Sequence, residues 1–155
     1  MERILNAIDE AKEKLDGIQA KLEGNPEPDT PGFERIGSRY FFIEHEDRKS
    51  WTGAEIACRQ KGGYLAAFQN QEEFDGIKEK LQIAVYWLGI NQKIKEGDFV
   101  SVASGKPATF LNWMLDEPFN YDDIKEDCVL LVLGQMSTRQ CDLGFHFICQ
   151  LDNKV

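Results

Sequence analysis

"SWTGAEIACR", Ser50 to Arg59, is the stretch on which the reading of this chain turns. Ser50 is an N-cap residue type, whose side-chain oxygen satisfies an orphan backbone N–H of the first turn. Trp51, Ala54 and Cys58 follow at i, i+3 and i+7, on one helical face. A cysteine on the buried face of a helix is well placed for a disulfide into a core. Gly62-Gly63 ends this helix, and "YLAAF", Tyr64 to Phe68, reads as a short strand. A second helix starts in "NQEEFDGIKEKL", Asn70 to Leu81. Asn70 and Glu73 have capping-box spacing, and Phe74, Ile77 and Leu81 form the apolar stripe.

Outside the two helices the domain is β-like. "FERIGSRYFFIE", Phe33 to Glu44, comes before the helices, with Arg39 to Ile43 aromatic and β-branched. After them come "VYWLGI" (Val85 to Ile90), "GDFVSV" (Gly97 to Val102), "TFLNW" (Thr109 to Trp113), "CVLLVL" (Cys128 to Leu133) and "FHFICQ" (Phe145 to Gln150). This is an α+β pattern with irregular connections. The longest loop region, roughly Lys93 to Asp127, contains "DEPFNYDDIKEDC", Asp116 to Cys128, with six carboxylates in thirteen residues. Long loops on a small domain commonly carry function.

Composition narrows the classes. The chain has 155 residues and a net charge of -9. It has no basic stripe, so nucleic acid is excluded as a partner. No apolar run approaches the roughly 18 residues that cross a bilayer. "MERILNAIDEAKEKLDG" carries acids throughout and lacks the apolar block of a signal peptide. Four cysteines, Cys58, Cys128, Cys141 and Cys149, allow three pairings. No C-x-x-C spacing favours zinc or thioredoxin-like chemistry, and the even count points to two disulfides and an oxidising compartment. Neither H-E-x-x-H nor G-x-S-x-G occurs and no cysteine is left over as a nucleophile, so the chain reads as no enzyme.

Residues 1–24 form a separate helical segment. Ile4, Ile8, Ala11, Leu15, Ile18 and Leu22 are spaced 4-3-4-3-4, a heptad seam. Fewer than three heptads are marginal alone, and Gly17 weakens the helix by about 1 kcal/mol relative to Ala. The seam therefore needs a partner. Two readings stand: an oligomerising neck, or an amphipathic helix folded back on its own domain. The unbroken spacing favours the neck, and Leu at a with Ile at d leans towards a homo-oligomer, a trimer or tetramer. Residues 25–32 follow as a linker; "GNPEPDTPG", Gly24 to Gly32, holds three prolines and two glycines. Residues 33–151 are the domain and 152–155 a tail.

The domain resembles the C-type lectin domain. The matching residues are "WTGAEIAC" (Trp51 to Cys58), Gly63, Leu65, "WLGI" (Trp87 to Ile90), Gly97, Phe99, "FLNW" (Phe110 to Trp113), Glu117-Pro118, "EDCV" (Glu126 to Val129), Cys141 and "FICQ" (Phe147 to Gln150). No single piece is specific; their order with four cysteines is. "FERIGSRYFFIE" further resembles the opening of secreted insect lectins, which often carry a coiled neck. The resemblance implies two helices flanking small antiparallel sheets, a long loop region, and the pairs Cys58–Cys149 and Cys128–Cys141. The first closes about 90 residues, worth up to roughly 4–5 kcal/mol in the chain-entropy model. It also implies export, so the leader is read as removed or truncated.

In this family a calcium ion at the loop tip accepts two adjacent sugar hydroxyls. The implied ligands come from "EPN", from a glutamate before Asp-Cys, and from Asn-Asp in a "WND" run. Glu117 matches the first glutamate, Glu126 the second, and Asp127 the neighbouring acid some members use for an auxiliary calcium. Phe119 stands where the asparagine belongs, and Asn120 comes one residue late. The "WND" position reads Met136-Ser137-Thr138, so hydroxyls replace an amide and a carboxylate. Extracellular calcium modules bind at about 10⁻⁴–10⁻³ M with a full ligand set. These losses push affinity to millimolar or weaker, favouring a vestigial site over a working one, with Asp122, Asp123 and Asp142 as the remaining acids in reach. The family's loop holds the Glu-Pro bond cis; without the ion, trans leads by roughly 0.5–1 kcal/mol.

Two functions follow. One is a secreted lectin that binds a glycan or glycoprotein, with a degenerate calcium and sugar site at Glu117, Phe119, Asn120, Glu126, Ser137 and Thr138. The metal set within it is Glu117, Asn120, Glu126 and Asp127. The other is a calcium-independent lectin-like module for a protein ligand. Phe119 is either a ligand anchor or a plug over a lost site. Trp51, Trp87 and Trp113 read as core, and His146 as a hydrogen-bonded structural histidine.

Overall fold

A computed structural model describes residues 31–118 and 125–155. The proposed neck, most of the linker, Phe119, Asn120, Asp122 and Asp123 lie outside the described residues. The unit Gly32–Val155 contains, in order, β1 (Glu34–Ile36), β2 (Arg39–Lys49), α1 (Trp51–Gln60), β3 (Tyr64–Leu65), α2 (Gln71–Lys78), β4 (Val85–Asn91), β5 (Val100–Ser101), β6 (Cys128–Val132), β7 (Gln135–Arg139) and β8 (Phe145–Gln150).

Both helices begin where their caps predict. Ser50 Oγ accepts from Gly53 N at 3.1 Å, and Asn70 Oδ1 accepts from Glu73 N at 2.9 Å. Glu73 completes the second cap one residue early, accepting from Gln69 N at 2.9 Å.

The strands join in the order β1-β2-β8-β4-β6-β7, with β3 on β8 and β5 on β4. The small sheets expected from the sequence are thus connected. The link is a parallel pairing of β4 with β8, Tyr86 opposite His146 and Trp87 opposite Phe147. Alternation along the strands then builds a core on each face. Phe41, Tyr86, Leu88, Ile90, Val129, Leu131 and Ile148 face one side, where α2 adds Phe74 and Ile77. Trp87, Leu130, Phe147, Cys128 and Cys149 face the other, where α1 adds Trp51, Ala54 and Cys58. β4 is buried on both faces, which explains its near-continuous apolar run. Gly89 sits at its centre because a Cβ there would overlap the carbonyl of Leu65.

The disulfides are Cys58–Cys149, joining α1 to β8, and Cys128–Cys141, joining β6 to the segment before β8. Trp51 and Trp87 are buried, and their indole N–H groups donate to Leu88 O (2.7 Å) and Lys49 O (2.9 Å). Trp113 is partly buried against the α2-side core, its ring 5.0 Å from that of Phe99. His146 Nδ1 lies 2.8 Å from Asp47 O.

Two strand expectations change. "TFLNW" is no strand; it touches the sheet by one parallel bridge, Trp113 to Met136. Its apolar residues point into the core without a ladder, Phe110 stacking 5.1 Å from Phe74. Conversely "QMSTR" is a strand that the sequence reading missed. Its polar Ser137 and Thr138 are fully buried, and it pairs with β6 through a two-residue turn at Leu133 (φ 50) and Gly134 (φ 77).

Candidate functional site

The site forms at the far end of β7. The β6–β7 register sets Thr138 opposite Val129 and Arg139 opposite Cys128, so Arg139 ends beside the Glu126-Asp127 pair that enters β6. On the other edge of β7, the segment through Trp113 runs alongside. Met136 N donates to Asn112 O and Met114 N donates to Met136 O, both at 2.8 Å. A turn then closes with Glu117 N donating to Met114 O at 3.0 Å. Asp116 takes the left-handed conformation (φ 68) at its third position, where a β-turn of this kind demands positive φ. The turn delivers Glu117 to Thr138, and the Glu117–Pro118 peptide bond is cis.

Glu117 is tightly held. Its Oε1 accepts from Thr138 N at 3.2 Å and from Thr138 Oγ1 at 3.1 Å. Its Oε2 lies 3.5 Å from Arg139 Nη1. That same nitrogen donates to Thr138 O at 2.6 Å and to Ser137 Oγ. Glu126 stands in the field of both. Burial pushes its carboxyl above the ordinary value, the Arg139 charge pulls it down and the Glu117 charge adds to the rise. Asp127 contributes its carbonyl, which accepts from Gln92 N at 2.8 Å, while Gln92 Nε2 reaches Glu126 O at 3.3 Å.

The structure therefore brings Glu117, Glu126, Ser137 and Thr138 to one place. Phe119 and Asn120 lie outside the described residues. Arg139 is the member that sequence reasoning missed. No signal in the sequence marks it, because the strand that carries it does not read as one; its place opposite Cys128 comes from the β6–β7 register.

A calcium ion wants six to eight oxygens, several of them anionic. Here one oxygen of Glu117 already accepts from Thr138 and the other faces the Arg139 guanidinium, and the Ser137 and Thr138 hydroxyls are buried and engaged with Arg139 and Glu117. Among the described residues, no three His, Cys, Asp or Glu side chains gather to hold a metal. The described residues do not fit the ion that the family pattern implies.

Comparison with known proteins agrees with the fold. C-type lectin 37Db of Drosophila melanogaster is 36% identical over 135 residues, 84% of this chain and 89% of that protein. Accessory gland protein Acp29AB of the same species is 33% identical over 121 residues, 77% of this chain. The chain spans about half the length of that relative (50%). Among solved structures, the mouse scavenger receptor C-type lectin carbohydrate-recognition domain superposes with a TM-score of 0.72 at 24% identity, over 80% of this chain and 98% of that one. The profile described as Lectin C-type domain matches residues 47–151, more than half of the sequence. With the two disulfides, the helices on opposite faces of the sheet and these matches, the chain belongs to the C-type lectin domain family.

Proposed function

We propose that this protein is a secreted carbohydrate-binding lectin whose calcium site is degenerate, and that it contacts its glycan through side chains at the end of β7. The observation that carries this reading is the polar cluster on a partly exposed rim, with Glu117 held by Thr138 and Arg139 and with Glu126 in the field of both charges. Carboxylates accept from sugar hydroxyls and a guanidinium donates to them, so the cluster offers both halves of polyol recognition. The relative at 36% identity that bears the name of lectin supports the same class of ligand. Secretion is supported by the two disulfides, which persist in oxidising compartments, and by the accessory-gland protein among the relatives.

A second reading, a protein ligand bound without calcium, is favoured by the same closure of Glu117 by Thr138 and Arg139. A glycan array probed with the full chain separates the two. Capture by a subset of glycans, reduced by Glu117→Gln, is the expected result. A blank array from folded protein rejects the glycan reading in favour of the second.

A further inference from the structure

We propose that Arg139 is the resident cation of this site, standing beside Glu117 where the charge of a divalent metal would otherwise be required. The proposal rests on the reading that the end of β7 is the ligand face, and it adds how that face keeps its shape. Three features carry it. Arg139 is fixed by partners other than Glu117: Ser137 Oγ and the Thr138 carbonyl both accept from its Nη1. The β6–β7 register and the Cys128–Cys141 disulfide then lock its backbone next to Glu126 and Asp127. Finally, Glu117 accepts from the Thr138 N–H and hydroxyl on one oxygen, and the guanidinium stands 3.5 Å from the other as an ion pair.

The consequence is chemical. A guanidinium is charged at every pH a protein experiences, so the carboxylate is neutralised with no exchangeable ion. The side chain of Arg139 is 42% exposed and that of Glu117 13%. The carboxylate is thus shielded while the cation faces outward. An incoming metal ion meets a positive charge before it meets the acid. The loop turn at Met114–Glu117 stays docked on β7 whether calcium is present or absent.

The test is a terbium titration of the full chain, read by tryptophan-sensitised luminescence, since Trp113 lies against Met136 on β7. Wild type, Arg139→Gln and Arg139→Lys are compared, each with melting curves in millimolar calcium and in chelator. The glutamine variant is expected to bind terbium about tenfold or more tightly than wild type, because a charge at contact distance from the ion has gone. The lysine variant is expected to stay near wild type, and wild-type melting to ignore calcium and chelator. Equal terbium affinity in wild type and Arg139→Gln, or a chelator-sensitive wild-type melt, overturns the proposal. Should the glutamine variant not fold, Glu117→Gln decides. An affinity unchanged from wild type supports the proposal, and a several-fold loss means Glu117 already holds the ion. A blank glycan array would reject the glycan reading and leave this comparison standing; equal terbium affinities would reject the role of Arg139 and leave a positive array standing.

Discussion

Arg39 shows how one side chain can tie distant parts of the domain. It is 5% exposed and donates to Glu73 Oε1 at 2.7 Å, to Asp152 Oδ2 at 3.1 Å and to Ala67 O at 3.2 Å. It therefore joins β2, the start of α2 and the segment after β8. Removing one member of a buried pair strands its partner, so Arg39→Ala is expected to cost about 3–5 kcal/mol in urea unfolding. Asp152 adds a pH signature. Burial alone would raise its carboxyl, but the Arg39 hydrogen bond, the Lys154 backbone N–H and the nearby cations outweigh that and hold it below its usual value. A depressed carboxylate stabilises the fold above its unfolded pKa and loses that contribution as pH falls through the folded one. The stability gap between wild type and Asp152→Asn should thus be open at neutral pH and close below about pH 4. Glu73 is shifted the other way, raised chiefly by burial against the lowering effect of Gln69 N and Arg39. Its contribution is present below its unfolded value and fades as pH rises through the folded one, so Asp152 is the cleaner variant. None of this network was legible in the sequence. Arg39 reads only as the start of an aromatic and β-branched strand, and Glu73 only as a cap.

At the scale of elements, what the sequence reveals depends on whether a local rule decides the structure. Both helices were legible because capping and the apolar stripe are local, and Ser50, Asn70, Cys58 and Phe74 all lie where those rules place them. The disulfide pairs and the fold followed from the lectin resemblance, since spacing alone leaves three pairings open. Strand β7 was illegible: Ser137 and Thr138 are polar, and only tertiary partners, Arg139 and Glu117, make their burial favourable. "TFLNW" failed in the opposite sense, because apolar residues fill the core as well from a loop as from a ladder. The β6–β7 hairpin carries its own prediction. Both central residues have positive φ, which suits Asn-Gly far better than Leu-Gly, and Leu133 is 72% exposed. Leu133→Asn is expected to stabilise the domain by roughly 0.5–1 kcal/mol, read as a higher melting temperature with no change in secondary structure. A lower one would mean that the exposed leucine is held by contacts the hairpin geometry does not include.

For the whole molecule, the heptad seam of residues 1–24 and the lectin-type domain together predict a multivalent binder. Single sites with weak affinity gain avidity when several are linked. Sedimentation of the full chain against a chain starting at Thr30 should give a trimer or tetramer for the first and a monomer for the second. Equal monomeric masses would return the segment to a helix folded on its own domain. A lectin whose sugar face is held by Arg139 and Thr138 in place of calcium should bind its glycan without the ion. Retention of the full chain on the glycan surface it binds best is to be measured first in millimolar calcium and then after chelation. The same retention is expected in both conditions. Loss of binding on chelation, restored when calcium is returned, would contradict it.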